Sequence, residues 1–363
     1  MTLFLAGDVM PGRGIDQALP RSVDPCLFES HVRDARVYLR LAERANGPID
    51  VPLEPAAVWG ETLAELEGVR PAVRVVNLET AVTDAGRPWP SKGIHYRMHP
   101  ANLRLLTAAG IDVAVLANNH VLDWGREGLT DTLRALAPTG VQGVGAGENA
   151  DAAWAPAVVP TPAGRLLVFA AGFLDAGVPP AWRAGPDRSG VALVTDTSER
   201  GADALADRVL ASRRPGDRVV LSLHWGPNWG YEVAPWKRAF ARRLIDAGAA
   251  DLVHGHSSHH PLGIEVHRGR AILYGCGDLI NDYEGIGGRD AYRGELALLY
   301  LPTVASDGAL AALDLVPLRL RRFRLERAPD EDARWLMRTL DRESRAFGAR
   351  VEAVGDRLAV RWA

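Results

Sequence analysis

The chain has 363 residues, 47% apolar and 24% charged, with a formal net charge of −3. That length buries roughly three quarters of the unfolded surface, and the charge balance lacks the basic field that nucleic acid requires, so no nucleic-acid partner is expected. Lysine occurs only at Lys92 and Lys237, and the cysteines, Cys26 and Cys276, form neither a CxxC pair nor a disulfide framework.

The opening Met1-Thr2-Leu3-Phe4-Leu5-Ala6-Gly7-Asp8 has no basic leader and reads as a first strand, not a signal peptide. No later segment offers the roughly 18 unbroken apolar residues of a membrane span, so no membrane anchor is expected and the chain is placed in the cytoplasm. Short apolar runs at 3–6, 73–76, 113–117, 166–170, 219–223, 251–253 and 271–274 lead through polar or glycine-bearing loops into helical patterns. This is the rhythm of an α/β fold. Helices are predicted over 56–67, 100–109, 126–136, 198–212 and 235–247, with Gly68, Gly110 and Gly248 as stops. The stretch 20–55, rich in proline and charge, reads as a surface excursion that covers a site. Beyond Asp290 two strands are predicted, 296–301 and an edge strand over 313–325 that alternates Leu and Arg, followed by a helix over 330–347. The expected organisation is a catalytic unit over 1–290, with 291–363 completing the same domain.

Six of the strand ends carry polar groups able to bind a metal, and strand ends are where α/β proteins converge their ligands. They are Asp8, Glu79, Asn119 with His120, His224, the run His254-Gly255-His256-Ser257-Ser258-His259-His260, and Asp278. Four histidines within seven positions are hard to explain as packing, and neutral imidazoles gather on a cation without the charge cost of gathered carboxylates. Each residue also has a plainer reading. Asp8 alone would serve equally as a turn cap, Glu79 as a surface partner of arginine, Asp123 as a hydrogen-bonding turn residue, and His224 as a core histidine. Asn118, Asn119 and His120 directly follow a buried strand, where an amide and an imidazole are costly unless satisfied. His31, His95, His99 and His267 are taken as ordinary. Gly143-Val144-Gly145-Ala146-Gly147 lacks the spacing of a dinucleotide loop and reads as a turn. Trp225, Trp229 and Tyr231 form a candidate wall of the substrate pocket, with packing of their own loop as the competing explanation. Glu232 among these rings is a candidate general acid or base, its pKa raised by desolvation.

Taken in order, Gly7-Asp8-Val9-Met10, Asn77-Leu78-Glu79, Asn118-Asn119-His120-Val121-Leu122-Asp123-Trp124-Gly125, His224-Trp225-Gly226 and the loop 255–265 resemble the capsule-biosynthesis CapA family, relatives of the calcineurin-like metallophosphoesterases. The resemblance implies a four-layer αββα sandwich with one or two divalent ions (Mn, Zn, Fe, Mg or Ca) at the strand ends. On that resemblance Asp8 is the first ligand, Glu79 takes the place of the bridging acid, Asn119 is the amide ligand and His120 the catalytic imidazole. His224, His254, His256 and His259 complete the metal shell, while Asn118, His260 and Asp278 join the substrate side. The chain departs from the pattern where Met10 replaces a histidine ligand, and where Gly255-His256-Ser257-Ser258-His259 replaces a Gly-x-His-Pro-His loop. The leading expectation is a metal-dependent hydrolase acting on a small-molecule or peptide substrate through a phosphoester or a γ-glutamyl amide. The alternatives are a metal-assisted peptide Cα epimerase and a non-catalytic accessory of capsule-polymer synthesis.

Overall fold

The computed structural model describes residues 1–288 and 290–363. Period-two alternation splits each strand of the smaller sheet between two cores. Leu166, Val168 and Ala170 join the core shared with the larger sheet, whereas Leu167, Phe169 and Ala171 lie under helices. Those helices are amphipathic at the spacing expected: Glu199–Leu210 buries Ala202, Leu205, Ala206 and Val209, and Pro235–Asp246 buries Phe240, Ala241, Leu244 and Ile245. Val58, Trp59, Leu66, Leu105 and Leu129, from helices on the other side, enter the core of the larger sheet. The result is the four-layer αββα sandwich.

Among the described residues the two main sheets have ten and seven strands. In the larger, Leu3–Val9, Val73–Leu78, Val113–Val115 and Gln142–Val144 run parallel in that spatial order. On the far side of Leu3–Val9 the antiparallel strands Leu296–Val304, Leu310–Arg321, Arg357–Trp362 and Ala349–Val354 extend the same sheet. In the smaller, Gly164–Phe173, Arg218–His224, Leu252–His256 and Arg270–Leu273 are parallel. Their register pairs Ser222 with His254 and His224 with His256. All four share the parity of Val220 and Leu252, which belong to the inter-sheet core, so all four face the larger sheet. No helix among the described residues is long and apolar enough to cross a membrane.

Several local expectations are corrected. The predicted edge strand over 313–325 is a hairpin, Leu310–Arg321 with Arg324–Arg327, and its first strand is paired on both sides. The turn uses Arg322 and Phe323, both left-handed at φ 53° and 56°. That two-residue geometry normally recruits Asn-Gly, so the sequence carried no turn signal. Here the Glu284 carboxylate accepts from the Arg322 and Phe323 backbone N–H groups, each at 2.7 Å. The helix predicted over 56–67 breaks into Pro55–Trp59 and Thr62–Val69 at Gly60, where a Cβ would lie 2.1 Å from the Leu325 carbonyl oxygen. Gly68 is not a stop; it lies inside the second helix, which Arg70 ends in the left-handed region. The 143–147 turn proves to be two short strands, Gln142–Val144 and Ala146–Gly147, hinged at Gly145.

The strand end carrying Asp8 touches the segment carrying Asp278: the Asp8 N–H donates to the Gly277 carbonyl at 2.9 Å, and a Cβ on Gly7 would sit 1.8 Å from that carbonyl oxygen. Gly7→Ala is therefore expected to lower the melting temperature sharply. Gly68→Ala, with open space around it, should gain about 0.5–1 kcal/mol from helix propensity. Thermal denaturation of both variants checks the contrast, and equal effects would contradict it.

Candidate metal centre

Asp8, at the end of Leu3–Val9, and Glu79, just past Val73–Leu78, are both essentially buried. Asn77 Nδ2 donates to both, at 2.8 Å to Asp8 Oδ1 and 3.1 Å to Glu79 Oε2. Burial, and then the Asp278 carboxylate, push the Asp8 carboxyl up to about 7. Burial, and then Asp8, push Glu79 well above the usual carboxylate range. Two such acids at neutral pH need a shared proton or a cation. Asp8 Oδ2 is buried with no hydrogen-bond partner.

Two imidazoles face that acid. His224 Nδ1 and His256 Nδ1 are 2.9 Å apart, and His256 Nδ1 is 3.9 Å from Asp8 Oδ1. His224 Nε2 lies 3.2 Å from Asn119 Oδ1, and its Nδ1 faces His256 Nδ1. Burial is the main cause holding both rings well below the usual imidazole pKa, so they are neutral ligands. Asp8, His224 and His256 thus form a group able to hold a metal ion, and the orphaned Asp8 oxygen fits that use. Asp8, His259 and Asp278 form a second group within ligand distance. There, however, His259 Nδ1 donates to Asp278 at 2.8 Å and His259 Nε2 meets Asn228 at 2.9 Å, so that imidazole is already satisfied. Burial opposes protonation of His259, but the Asp278 carboxylate outweighs it and raises the imidazole's pKa.

His120 stands on the loop after Val113–Val115. Its Nδ1 donates to Asp123 Oδ2 at 2.6 Å, and its Nε2 lies 3.8 Å from Glu79 Oε1. Asp123 also accepts from the Tyr96 N–H at 2.7 Å and from the Lys92 ammonium, which in turn donates to the Asn119 carbonyl and sits 3.1 Å from His120 Nδ1. The Tyr96 ring covers the His120 ring with centroids 4.3 Å apart. Burial first, and the Lys92 charge second, hold His120 well below the usual imidazole range. A cavity of about 690 Å³ opens beside His120 and His259, walled by Arg13, Tyr38, Trp229 and Tyr283. Arg13 is held between the Tyr38 and Tyr96 rings and neutralised by Glu29 and Asp282. Tyr38 comes from the 20–55 excursion, which does reach the site.

The structure brings Asp8, Glu79, Asn119, His120, His224, His256, His259 and Asp278 together. Four expectations are corrected. His254 has both ring nitrogens committed, to Ser222 Oγ and the Ala6 carbonyl, and cannot ligate as it stands. Asn118 is fully buried and spends its amide on Asn77, Leu78 and the His120 and Val121 N–H groups, so it braces the loop and is not placed to bind substrate. Trp225, one residue past the inward-facing His224, points the other way into the helix-covered core, where it stacks on Tyr274 and donates to its carbonyl. Glu232 is solvent-exposed and is not enclosed by the neighbouring rings. Trp229 lines the cavity and stacks on His260, which in turn stacks on Tyr292 and meets the Tyr231 ring edge-on. Ser257 and Ser258 spend their hydroxyls on carbonyls within the loops. Lys92, Tyr96 and Arg13 were missed. The signal for Lys92 was its rarity, one of two lysines among 42 basic residues.

Facing sheets between helical layers, with acids and imidazoles gathered at the strand ends, define an αββα sandwich protein with a candidate metal centre. Residues 2–283 match the family described as bacterial capsule synthesis protein PGA_cap, and the chain belongs to that family. It is 51% identical over 361 residues to a "probable polyglutamine synthesis accessory protein" of Mycobacterium tuberculosis, covering 99% of this chain and 95% of that one. It is 25% identical over 325 residues to the capsule biosynthesis protein CapA of Bacillus anthracis, covering 88% and 68%. A 5′-nucleotidase precursor from Thermus thermophilus aligns with 88% of this chain and 54% of its own, at 15% identity and a TM-score of 0.45.

Because a proton and a cation compete for Asp8, whose carboxyl titrates at about 7, divalent binding should be constant at alkaline pH. Below about pH 7 it should weaken by about tenfold per pH unit for one competing proton. Calorimetric titration of the apoprotein with Mn²⁺ across pH checks this, and pH-independent binding would exclude Asp8 as a ligand.

Proposed function

We propose that the protein is a metal-dependent hydrolase, acting in the cytoplasm on a small-molecule or peptide substrate through a phosphoester or an amide such as a γ-glutamyl linkage. The observation that carries the reading is the setting of His120: a neutral imidazole, anchored at Nδ1 and bare at Nε2, on the wall of a large cavity beside a candidate cation site. Asp8, His224 and His256 would hold the ion, with Glu79 adjacent. When bound, a divalent ion supplies Lewis acidity at the scissile group. His120 Nε2 takes a proton as water attacks and returns it to the leaving group, a role that needs a base neutral at the working pH. Asp123 fixes the tautomer that leaves Nε2 bare, and Lys92 holds Asp123 and the Asn119 carbonyl in register. Tyr96 and Trp229 shield the centre from bulk water.

The names of the relatives, which speak of polyglutamine synthesis and capsule biosynthesis, favour a peptide-like amide over a nucleotide. They also favour a second reading, an accessory of polymer synthesis that binds without turnover. Metal restoration followed by turnover assays on p-nitrophenyl phosphate and γ-glutamyl-p-nitroanilide separates the two. His120→Ala is expected to lose at least about a hundredfold in kcat, the usual scale for a general acid–base group, while its metal content stays at the wild-type level. Full activity in that variant sinks the assignment. A wild-type protein that binds metal and turns over neither class favours the accessory. Solvent deuterium retained at Cα without cleavage would mark an epimerase instead.

A further inference from the structure

Three hydrogen bonds in series join the backbone of one sheet to the candidate cation point through the other. The Ala6 carbonyl oxygen lies 2.9 Å from His254 Nε2, His254 Nδ1 lies 3.0 Å from Ser222 Oγ, and Ser222 Oγ lies 2.9 Å from His256 Nε2. Ser222, His254 and His256 are each 0% exposed.

Every link has a forced direction. A carbonyl oxygen only accepts, so the His254 proton is on Nε2. A neutral imidazole carries one ring proton, so His254 Nδ1 is bare and accepts from the Ser222 hydroxyl. That hydroxyl has a single proton, so its oxygen accepts from His256 Nε2–H. His256 Nδ1 is then bare, and it is this nitrogen that lies 2.9 Å from His224 Nδ1 and 3.9 Å from Asp8 Oδ1. Nothing else in the series touches the cation point.

The geometry points to Ser222 and His254 as positioning residues that lock His256 in its Nε2–H tautomer and so present its Nδ1 lone pair to a divalent cation. The inference rests on the metal-dependent reading for its affinity readout alone; the tautomer itself exists in the metal-free protein. Outer partners of metal-bound histidine are worth about 10- to 100-fold in affinity. This series differs from a single outer partner because its polarity can be inverted. With the acceptor at position 254 removed, the Ser222 hydroxyl is free to donate to His256 Nε2, which drives the ring proton onto Nδ1 and blocks the ligand site.

The test uses long-range ¹H–¹⁵N spectra of the imidazoles in the metal-free full chain, followed by titration with Mn²⁺ alone. Wild-type protein should show His256 protonated at Nε2. His254→Gln, whose amide can donate to Ala6 and accept from Ser222, should keep that tautomer and bind Mn²⁺ as wild type does. His254→Leu should shift His256 to Nδ1–H and weaken Mn²⁺ by about 10- to 100-fold. Adding Ser222→Ala to His254→Leu removes the misdirected donor and should recover part of the loss. A His256 tautomer unchanged in His254→Leu overturns the proposal, as does a double variant weaker than His254→Leu. If His254→Leu fails to fold, Ser222→Ala decides: mixed His256 tautomers support the relay, and an unchanged Nε2–H spectrum overturns it. Wild-type protein that binds no Mn²⁺ would sink the cation reading, while the tautomer pattern would still decide the relay.

Discussion

Two carboxyl groups buried side by side, Asp8 and Glu79, set the terms for everything around them. A protein interior tolerates such a pair only with a positive charge or a shared proton between them, and the Asn77 amide donates to both. The surrounding groups are arranged to accept a cation without competing for its place. His224 and His256 are uncharged, Arg13 is spent on Glu29 and Asp282, and Lys92 is turned onto Asp123. A guanidinium or ammonium aimed at the pair would satisfy it and close the site. With Arg13 and Lys92 committed to other carboxylates, neither closes it.

The sandwich makes this arrangement cheap in backbone terms. Neighbouring parallel strands in strict register deliver Ser222, His224, His254 and His256 to one face without any special loop, and the paired end of Leu3–Val9 delivers Asp8 opposite them. Loops are used where a side chain must approach from outside the sheets. Asp123 is the junction of that second system, accepting from His120, Lys92 and the Tyr96 N–H while its own carbonyl accepts from the Trp89 N–H at 2.7 Å. One carboxylate therefore ties the catalytic loop to the segment that forms the cavity wall.

Much of this was legible in the chain. The strand ends with their polar groups were evident because alternating apolar runs and the residues that follow them are local features. Asp8, Glu79, His120 and His224 needed only that. His254 and His256 were indistinguishable by crowding, since both share one strand face; their difference lies in what the opposite strand and sheet offer, Ser222 and the Ala6 carbonyl, which are remote in sequence. Trp225 was misplaced because a ring beside a ligand candidate looks like a pocket wall until strand alternation sends it to the other side. Glu232 failed for a related reason: nearby aromatic residues in sequence did not mean burial in space. The Arg322-Phe323 turn left no trace because its stabilising partner, Glu284, belongs to a different segment.

The lysine at position 92 stands against the chain's own composition. Elsewhere its basic positions are filled by arginine with a single other exception, Lys237. At position 92 two acceptors converge on one nitrogen, the Asp123 carboxylate and the Asn119 carbonyl, with His120 Nδ1 3.1 Å away. A planar guanidinium spreads its donors over a fork and cannot place them all at that point. The slot therefore suits a compact ammonium rather than the guanidinium that supplies nearly every other basic side chain of this chain.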